Sequence, residues 1–325
     1  MSYRVLLLSV SPADRRRVVL RQSKTNFGAL DISRSWGKYA RMRTWARGAV
    51  VFSVFVLTSS AHVFGQWVTY PTANVPRLAD GKPDLKAPAP RQPDGKPDFV
   101  GFWQPDRVRE CTPDLASRVR LTQPCKPGEK VTVPNGPASV PGGLPLQPWA
   151  AELARQRTAD LSKDDPHVRC QPDPYPRVYW LPHFTKIFHV PGELLMLNEW
   201  NAEFRQIYTD GRPLPADPHP IYSGYSIGKW EGDTFVITTK GFSESQWLDT
   251  AGTPFTDATT MTERITRPDF GTLNLQITID DPKAYTKPFT IDMNMKIMID
   301  TQMIEEFCLE NERDSARLVG PTGGK

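Results

Sequence analysis

Alternating hydrophobic and polar positions mark the last third of the chain. Every second residue from Leu273 to Ile279 is aliphatic, and the residues between them are polar. A similar period of two runs through Phe289–Ile299. Because successive side chains of a strand point to opposite faces, each segment predicts a strand with one buried and one wet face. This pattern is typical of an antiparallel sheet.

Shorter segments of the same kind begin earlier, in the stretch 185–241. They are separated by tight-turn pairs such as Pro191-Gly192, Asp210-Gly211 and Glu231-Gly232, which are typical of hairpins. About eight or nine such strands in order predict an antiparallel, up-and-down meander that closes into a barrel. The predicted strands are Leu194–Trp200, Phe204–Tyr208, Ser226–Trp230, Thr234–Thr239, Thr260–Thr266, Thr272–Asp280, Phe289–Ile299 and Met303–Glu310, with the last two forming a hairpin.

Proline sets apart the region before the meander. The chain has 32 prolines in 325 residues, nearly twice the usual ~5%, and most lie before residue 221. Residues 104–184 predict a Pro-rich excursion of the barrel, in which Pro148–Arg157 is the one predicted helix because Pro opens it and strong helix formers follow. Residues 66–97 predict an extended arm. The mainly β domain then covers 98–319, with a disordered tail at 320–325.

The arm contains a short internal repeat, Asp80-Gly-Lys-Pro-Asp84 and Asp94-Gly-Lys-Pro-Asp98. Asp-Gly followed by Pro is turn chemistry. Two carboxylates in each copy are too few for a calcium loop, so we interpret both copies as turns.

Charge is divided unevenly along the chain. Residues 1–65 contain 11 basic and 2 acidic residues, whereas the rest contains 29 basic and 34 acidic residues. The body is therefore mildly acidic, which argues against nucleic acid as a partner. The basic Met42–Arg47, the apolar Gly48–Ser60 and the residues before Gln66 form a signal-peptide pattern over 42–65, with cleavage near Gly65.

This pattern predicts a periplasmic or extracellular protein with no membrane span after cleavage. Gly48–Gly65 has the minimum length for an uncleaved anchor, but polar residues dilute it. Residues 1–41 are a disordered or non-native upstream extension: they are either a long n-region or, if translation starts at Met42 and not at Met1, a segment that the cell does not use.

All four cysteines follow that segment: Cys111, Cys125, Cys170 and Cys308. An even number beyond a signal peptide predicts disulfides. Of the three pairings we favour Cys111 with Cys125 and Cys170 with Cys308, because the first closes a Pro-rich loop with little core of its own. The chain has no CxxC motif, so we predict no metal and no cofactor.

Several segments resemble known proteins. The run Asp94–Trp103 (Asp-Gly-Lys-Pro-Asp-x-x-Gly-x-Trp), the Trp230–Val236 hairpin and the Asp210–Arg212 turn resemble a large set of uncharacterised secreted bacterial proteins, over about Pro93 to Val319. Gly101-x-Trp103 also resembles the first strand of calycin-type barrels, the lipocalins and fatty-acid-binding proteins, in which the Trp closes one end. The resemblance implies a secreted, calycin-like barrel and supplies no mechanism.

The relatives often carry Pro-His-Ser where this chain has Pro254-Phe255-Thr256. Any catalytic role of that histidine in the relatives would therefore be missing here.

One carboxylate falls on an apolar strand face. Glu263 shares its face with Met261 and Ile265, so it is expected inside the barrel, where it needs a partner or a raised pKa. Arg205 or Arg264 could be that partner. The pair is either a structural ion pair or the centre of a hydrolase or isomerase, with Glu263 and Arg205 as catalytic residues.

Large aromatic and sulfur side chains could line a ligand cavity or form plain core. The candidates for ligand binding are Trp200, Tyr208, Trp230, Phe235, Met293 and Met295. His183 and His189 are too far apart along a straight strand to share a metal, at ~3.3 Å per residue. Ser226 in Gly224–Gly228 matches a serine-hydrolase string, but a hairpin follows it instead of a helix.

Three functions remain open. The first is binding of a small apolar or amphipathic molecule inside the barrel, with the excursion over one mouth. The second is an extracytoplasmic enzyme that uses Glu263. The third is an interaction module with a filled core. A mainly apolar interior cavity of ~300 Å³ or more would favour binding, whereas a packed interior would argue against the first two.

Overall fold

A computed structural model describes residues 71–134, 136–244 and 246–308. The predicted signal peptide at 42–65, the upstream segment 1–41 and the tail 320–325 lie outside these residues. Among the described residues, no helix has the length and apolar character to cross a membrane.

The described chain is mainly β, with thirteen strands and two α-helices. The excursion also contains 3₁₀ turns at Gly136–Ser139, Pro166–Arg169 and Arg177–Trp180. The strands and helices, in chain order, are β1 Gly101–Asp106, β2 Val108–Glu110, α1 Leu115–Arg118, β3 Lys130–Thr132, α2 Pro148–Ala159, β4 Thr185–Val190, β5 Glu193–Asn198, β6 Phe204–Tyr208, β7 Tyr225–Glu231, β8 Thr234–Lys240, β9 Gln246–Trp247, β10 Pro254–Phe255, β11 Thr260–Asp269, β12 Thr272–Asp280 and β13 Phe289–Ile297.

Nine strands close into a barrel in the order β1-β13-β12-β11-β8-β7-β6-β5-β4, and β4 returns to β1. The predicted barrel is therefore confirmed. The period of two holds as expected: β12 buries Leu273, Leu275, Ile277 and Ile279 and turns its polar residues outward. The inward residues of β13 join the same hydrophobic core.

The barrel is mixed and not purely antiparallel. Neighbouring strands pair antiparallel around the barrel, except that β6 and β7 pair parallel over only Ile207↔Ser226 and Tyr208↔Ile227. We call this short parallel contact the β6-β7 seam. The predicted last hairpin is also wrong, because β13 pairs with β1 and residues 303–308 form no strand.

The Gly-x-Trp motif of β1 has a steric cause. Trp103 is fully buried and its indole Nε1 donates to the Phe99 carbonyl at 3.0 Å. A Cβ on Gly101 would lie 2.8 Å from that Nε1, so only glycine lets the indole fold back in this way. The Arg267 guanidinium lies 4.9 Å from the Trp103 ring.

The excursion is held by both predicted disulfides, Cys111–Cys125 and Cys170–Cys308, which are confirmed. Two such bonds indicate an extracytoplasmic protein. The predicted helix at Pro148–Arg157 is confirmed as α2. The 3₁₀ turn Arg177–Trp180 is buried in the barrel core, so the excursion fills space inside the barrel.

The repeated arm segments form two matching turns. Arg77 forms a backbone β-bridge with Pro83, and Arg91 forms the matching bridge with Pro97 fourteen positions later. The side chain of each arginine donates a hydrogen bond to the glycine carbonyl of its own turn, at 2.9 Å for Arg77 and 2.8 Å for Arg91. The arm is also tied to the barrel, because Phe270 and Gly271 donate backbone hydrogen bonds to Ala87 and Leu85. The repeat is thus a structural unit.

Gly228 on β7 allows close packing near the β6-β7 seam. A Cβ there would lie 2.3 Å from Phe235 Cζ and 3.0 Å from Ile207 Cγ2. We expect Gly228→Ala to lower the free energy of unfolding by about 1–3 kcal/mol through overpacking. Chemical denaturation measures this, and the neighbouring exposed Lys229→Ala should change it by less than about 0.5 kcal/mol. Equal effects of the two changes would contradict the steric argument.

Candidate functional site

Glu263 and Arg205 meet inside the barrel. Glu263 lies on β11, opposite Ile237 of β8 and Ile277 of β12, so its side chain shares the buried face of its neighbours. Arg205 lies on β6, where alternation buries it together with Ile207. Their side chains form an ion pair with no exposed surface. Arg205 is therefore the partner of Glu263, whereas Arg264 faces outward and binds Glu231 at 2.9 Å.

Every N–H of the Arg205 guanidinium has an acceptor. Nε donates to Ser226 Oγ at 3.1 Å. Nη1 donates to Glu263 Oε1 at 3.0 Å and to the Tyr179 hydroxyl at 2.9 Å. Nη2 donates to Thr239 Oγ1 at 2.8 Å and to Glu263 Oε2. Since arginine has five donors, the group is fully satisfied.

The excursion supplies the last member of this network. Tyr179, in the 3₁₀ turn, donates its hydroxyl to Glu263 Oε1 at 2.6 Å. Burial, followed by the negative charge of Glu263, raises the pKa of Tyr179 well above its usual value. Burial alone would lower the pKa of Arg205, but the attraction of Glu263 outweighs it and the pKa is raised. Arg205 therefore keeps its charge, and Tyr179 remains a neutral donor.

This geometry favours the structural interpretation of the pair. A catalytic carboxylate has to reach the proton that it transfers, at about 2.6–3.2 Å or through one water. Here both side chains are enclosed, and their hydrogen-bonding groups are used by the protein. Proton transfer to a ligand would first require opening the barrel.

The predicted ligand-binding residues do not line one cavity. Phe235, Met293 and Met295 are part of the packed core. Trp230 packs on Phe99 and Phe235, with ring centroids 5.3 and 5.0 Å apart. The other two lie outside the barrel interior: Tyr208 faces outward on β6, and Trp200 stacks on His167 at 4.2 Å.

Three histidine side chains have local partners. His167 Nδ1 lies 2.6 Å from Asp173, and His183 Nδ1 lies 2.7 Å from Glu306. His189 Nε2 accepts the Phe99 amide at 3.0 Å. In the part of the chain that is described, no three His, Cys, Asp or Glu side chains are grouped so that they could hold a metal ion.

Beside His167, a buried arginine anchors the excursion. Arg177, which is 1% exposed, forms two hydrogen bonds to the Asp165 carboxylate at 2.8 and 2.7 Å. Its Nε lies 3.1 Å from Asp173. These pairs hold the 3₁₀ turn that carries Tyr179.

A cleft of about 430 Å³ lies along the β6-β7 seam, and Arg205 and Ser226 of the buried network are among its lining residues. Its walls include Phe204 and Tyr208 of β6, the loop 221–224 and Tyr225 at the start of β7. Phe204 is 63% exposed, which is unusual for a large aromatic side chain. We call this the seam cleft. Sequence reasoning named one of its lining residues, Tyr208, but did not predict the cleft, because the cleft arises from the parallel pairing and the alternation pattern predicts only a wet face.

Glu203 lines the inner end of the seam cleft. Its Oε1 accepts the Asp173 amide at 3.0 Å, while Oε2 is buried without a hydrogen-bond partner among the described residues. Burial raises the pKa of Glu203 to about 8, and the Asp173 amide only partly opposes this. At pH 7 the carboxyl group is therefore mostly protonated and can donate a hydrogen bond.

Comparisons with known proteins add no assignment to this geometry. No protein-family model matches the chain, and a comparison with curated proteins found no match. Any function therefore has to be argued from the site itself.

Breaking the buried pair should destabilise the barrel strongly. Glu263→Gln keeps the shape but leaves the Arg205 charge uncompensated, so we expect a loss of about 3–5 kcal/mol in the free energy of unfolding. Arg264→Gln, which breaks an exposed pair one residue away, should cost less than about 1 kcal/mol. Denaturant titration of both variants measures the difference. A loss for Glu263→Gln as small as that for Arg264→Gln would refute the structural role.

Glu203 should make stability fall as pH rises. Its folded pKa of about 8 lies above the value of an exposed Glu, so between about pH 4.5 and pH 8 the folded state binds more protons than the unfolded state. Glu203→Gln should therefore match the wild type at pH 4 and be more stable at pH 8, by roughly 4 kcal/mol.

His183 and His189 act in the opposite direction, because burial lowers the pKa of each. The two histidines contribute equally in the wild type and in Glu203→Gln, so the difference between the stability curves of these two proteins isolates the effect of Glu203. Unfolding curves measured across this pH range, with the exposed Glu305→Gln as control, provide the test. A Glu203→Gln curve parallel to that of the wild type would show that Glu203 is not buried as described.

Proposed function

We propose that this protein is an extracytoplasmic binding protein that holds a small amphipathic molecule in the seam cleft. The observation that carries the proposal is the exposed aromatic wall beside the β6-β7 seam, with Phe204 at its edge. Small-molecule sites are mostly apolar clefts of about 300–1,000 Å³ with a few placed polar groups. The seam cleft, at about 430 Å³, falls in that range.

The lining supports an amphipathic ligand. Phe204, Tyr208, Tyr222 and Tyr225 offer apolar ring surface, and the protonated Glu203 lies at the inner end. A ligand with an apolar body and a hydrogen-bond acceptor would match both features. The ligand is thus of the same class as the sequence predicts, but we place it on the outer surface.

The barrel interior is a less favourable location. Phe235, Met293 and Met295 pack against other core residues, and the Arg205–Glu263 network occupies the space beside Tyr179. A ligand would have to displace those contacts. The enzyme hypothesis faces the same obstacle, because neither Glu263 nor Arg205 has an exposed side chain. An interaction module with a filled core remains the alternative.

Binding of N-phenyl-1-naphthylamine, a neutral apolar dye, tests the proposal. We expect saturable binding to the wild type and at least about fivefold weaker binding to Phe204→Ser, because the exposed ring contributes part of its transfer free energy on burial by the dye. Phe204 is mostly exposed in the free protein, so the melting temperature should change little.

Leu78→Ser is the matched control, since Leu78 is a 50% exposed apolar side chain that does not line the seam cleft. Equal affinity of the dye for the two variants would contradict the location of the site. Absence of binding to the wild type, together with no ligand retained in native mass spectrometry of the protein from its own compartment, would favour the interaction module.

A further inference from the structure

A second cleft lies on the outer face of β11, β12 and β13. The strand register places polar side chains there in two rows across the sheet. Arg264, Gln276 and Asp292 form one row, and Thr266, Asn274 and Asn294 form the next. These residues line a cleft of about 360 Å³, whose floor offers amide and hydroxyl groups.

A flap of the excursion forms the wall of this cleft. We define the flap as residues 108–133, which include β2, α1 and β3. Cys111–Cys125 crosslinks it, and Leu115, Val119 and Val133 give it a small hydrophobic cluster of its own. Arg109 of β2 and Arg118 of α1 project from the flap to the cleft. We call these side chains and the floor the arginine cradle.

Arg109 has no acceptor for two of its buried nitrogens. Nε and Nη2 are buried without a hydrogen-bond partner among the described residues. Burial lowers the pKa of Arg109 to about 10, against the attraction of Asp106, but the group stays charged at neutral pH. An unsatisfied buried N–H of a charged group is costly, and a bound acceptor would remove that cost.

The other two arginines of the cradle are already paired, but at the surface. Arg264 binds Glu231 at 2.9 Å and Arg118 binds Asp114 at 3.0 Å, and all four side chains are at least 41% exposed. Exposed pairs of this kind are weak and exchange readily with other anions. The carboxylate that lines the cradle is Asp292, whose pKa is raised by burial. Among the residues that line the cleft, three guanidinium groups thus face the single carboxylate of Asp292, and the carboxylates of Asp114 and Glu231 lie in the two exposed pairs.

We propose that the arginine cradle binds a small hydroxylated anion, with its carboxylate or phosphate on Arg109 and its hydroxyls on the amide floor. Guanidinium binds both oxyanions through parallel N–H···O bonds. Asn274, Gln276 and Asn294 each carry donors and an acceptor, which suits hydroxyl groups. A sugar acid and a sugar phosphate share this chemistry. The site is separate from the seam cleft and does not depend on the proposed function.

Isothermal titration calorimetry at low ionic strength tests the proposal, since salt screens exposed charges. The probes are glucuronate, glucose 6-phosphate and neutral glucose, each added to the intact secreted protein. We expect one or both anions to bind, with glucose at least tenfold weaker. The stronger anion identifies carboxylate or phosphate as the preferred group. The proposal would be overturned if neither anion binds, or if glucose binds as tightly as the anions.

Arg109→Gln should weaken anion binding at least tenfold. Arg120→Gln is the matched control, because Arg120 is an exposed residue of the same flap that does not line the cradle. The melting temperature of unliganded Arg109→Gln should be unchanged or higher, since an unpaired buried charge is removed. Unchanged anion affinity in Arg109→Gln, or an equal loss in Arg120→Gln, would overturn the assignment of Arg109.

Discussion

The Arg205–Glu263 pair is the interaction on which the barrel depends. Two charges enclosed by apolar side chains carry a large desolvation penalty, which is offset only when the geometry is good and every remaining donor is satisfied. That condition needs Ser226 of β7, Thr239 of β8 and Tyr179 of the excursion in place together. The pair therefore fixes the positions of four strands and of the segment that enters the barrel.

The same constraint shifts ligand chemistry to the outer surface. With Tyr179 and the ion pair inside, the interior resembles the core of an ordinary domain. The seam cleft lies where the antiparallel strand pairing is interrupted, and the arginine cradle lies where the excursion covers the sheet. At the β6-β7 seam, the connection 209–224 brings the chain back to the end at which β6 began, so β7 runs parallel to it. The pairing is short there, and aromatic side chains line the gap.

Local patterns predicted much of this fold, and long-range geometry accounts for the errors. The bounds of β6 and β12 match the predicted strands, because alternation and turn residues are local signals. The disulfide pairing followed from loop closure. The parallel pairing at the β6-β7 seam could not be predicted, because Asp210-Gly211 is equally compatible with a hairpin and with a longer return loop. Met303 was wrongly assigned to a strand because β13 finds its second partner in β1, far away in the chain.

For the candidate sites, the sequence identified residues whose burial breaks a pattern and a set of large aromatic and sulfur side chains, of which Tyr208 lines the seam cleft. Glu263 was noticed because it is a carboxylate on an apolar face, and Arg205 was one of two candidate partners. Arg109 breaks no pattern in a Pro-rich segment, and Arg264 sits on a strand face expected to be wet. Their approach depends on how the flap folds over the sheet, and the sequence contains no periodic signal for that arrangement.

The contrast between the buried polar groups shows where binding energy is available. All donors of Arg205 are used, so a ligand would gain nothing there without first breaking existing bonds. Glu203 and Arg109 instead keep polar atoms buried without partners among the described residues, and both groups lie at surface clefts. Such atoms lower the stability of the free protein, and a ligand that supplies the missing partner recovers that free energy on binding. The same unsatisfied groups that destabilise the free fold therefore favour ligand binding at these two clefts over binding in the barrel interior.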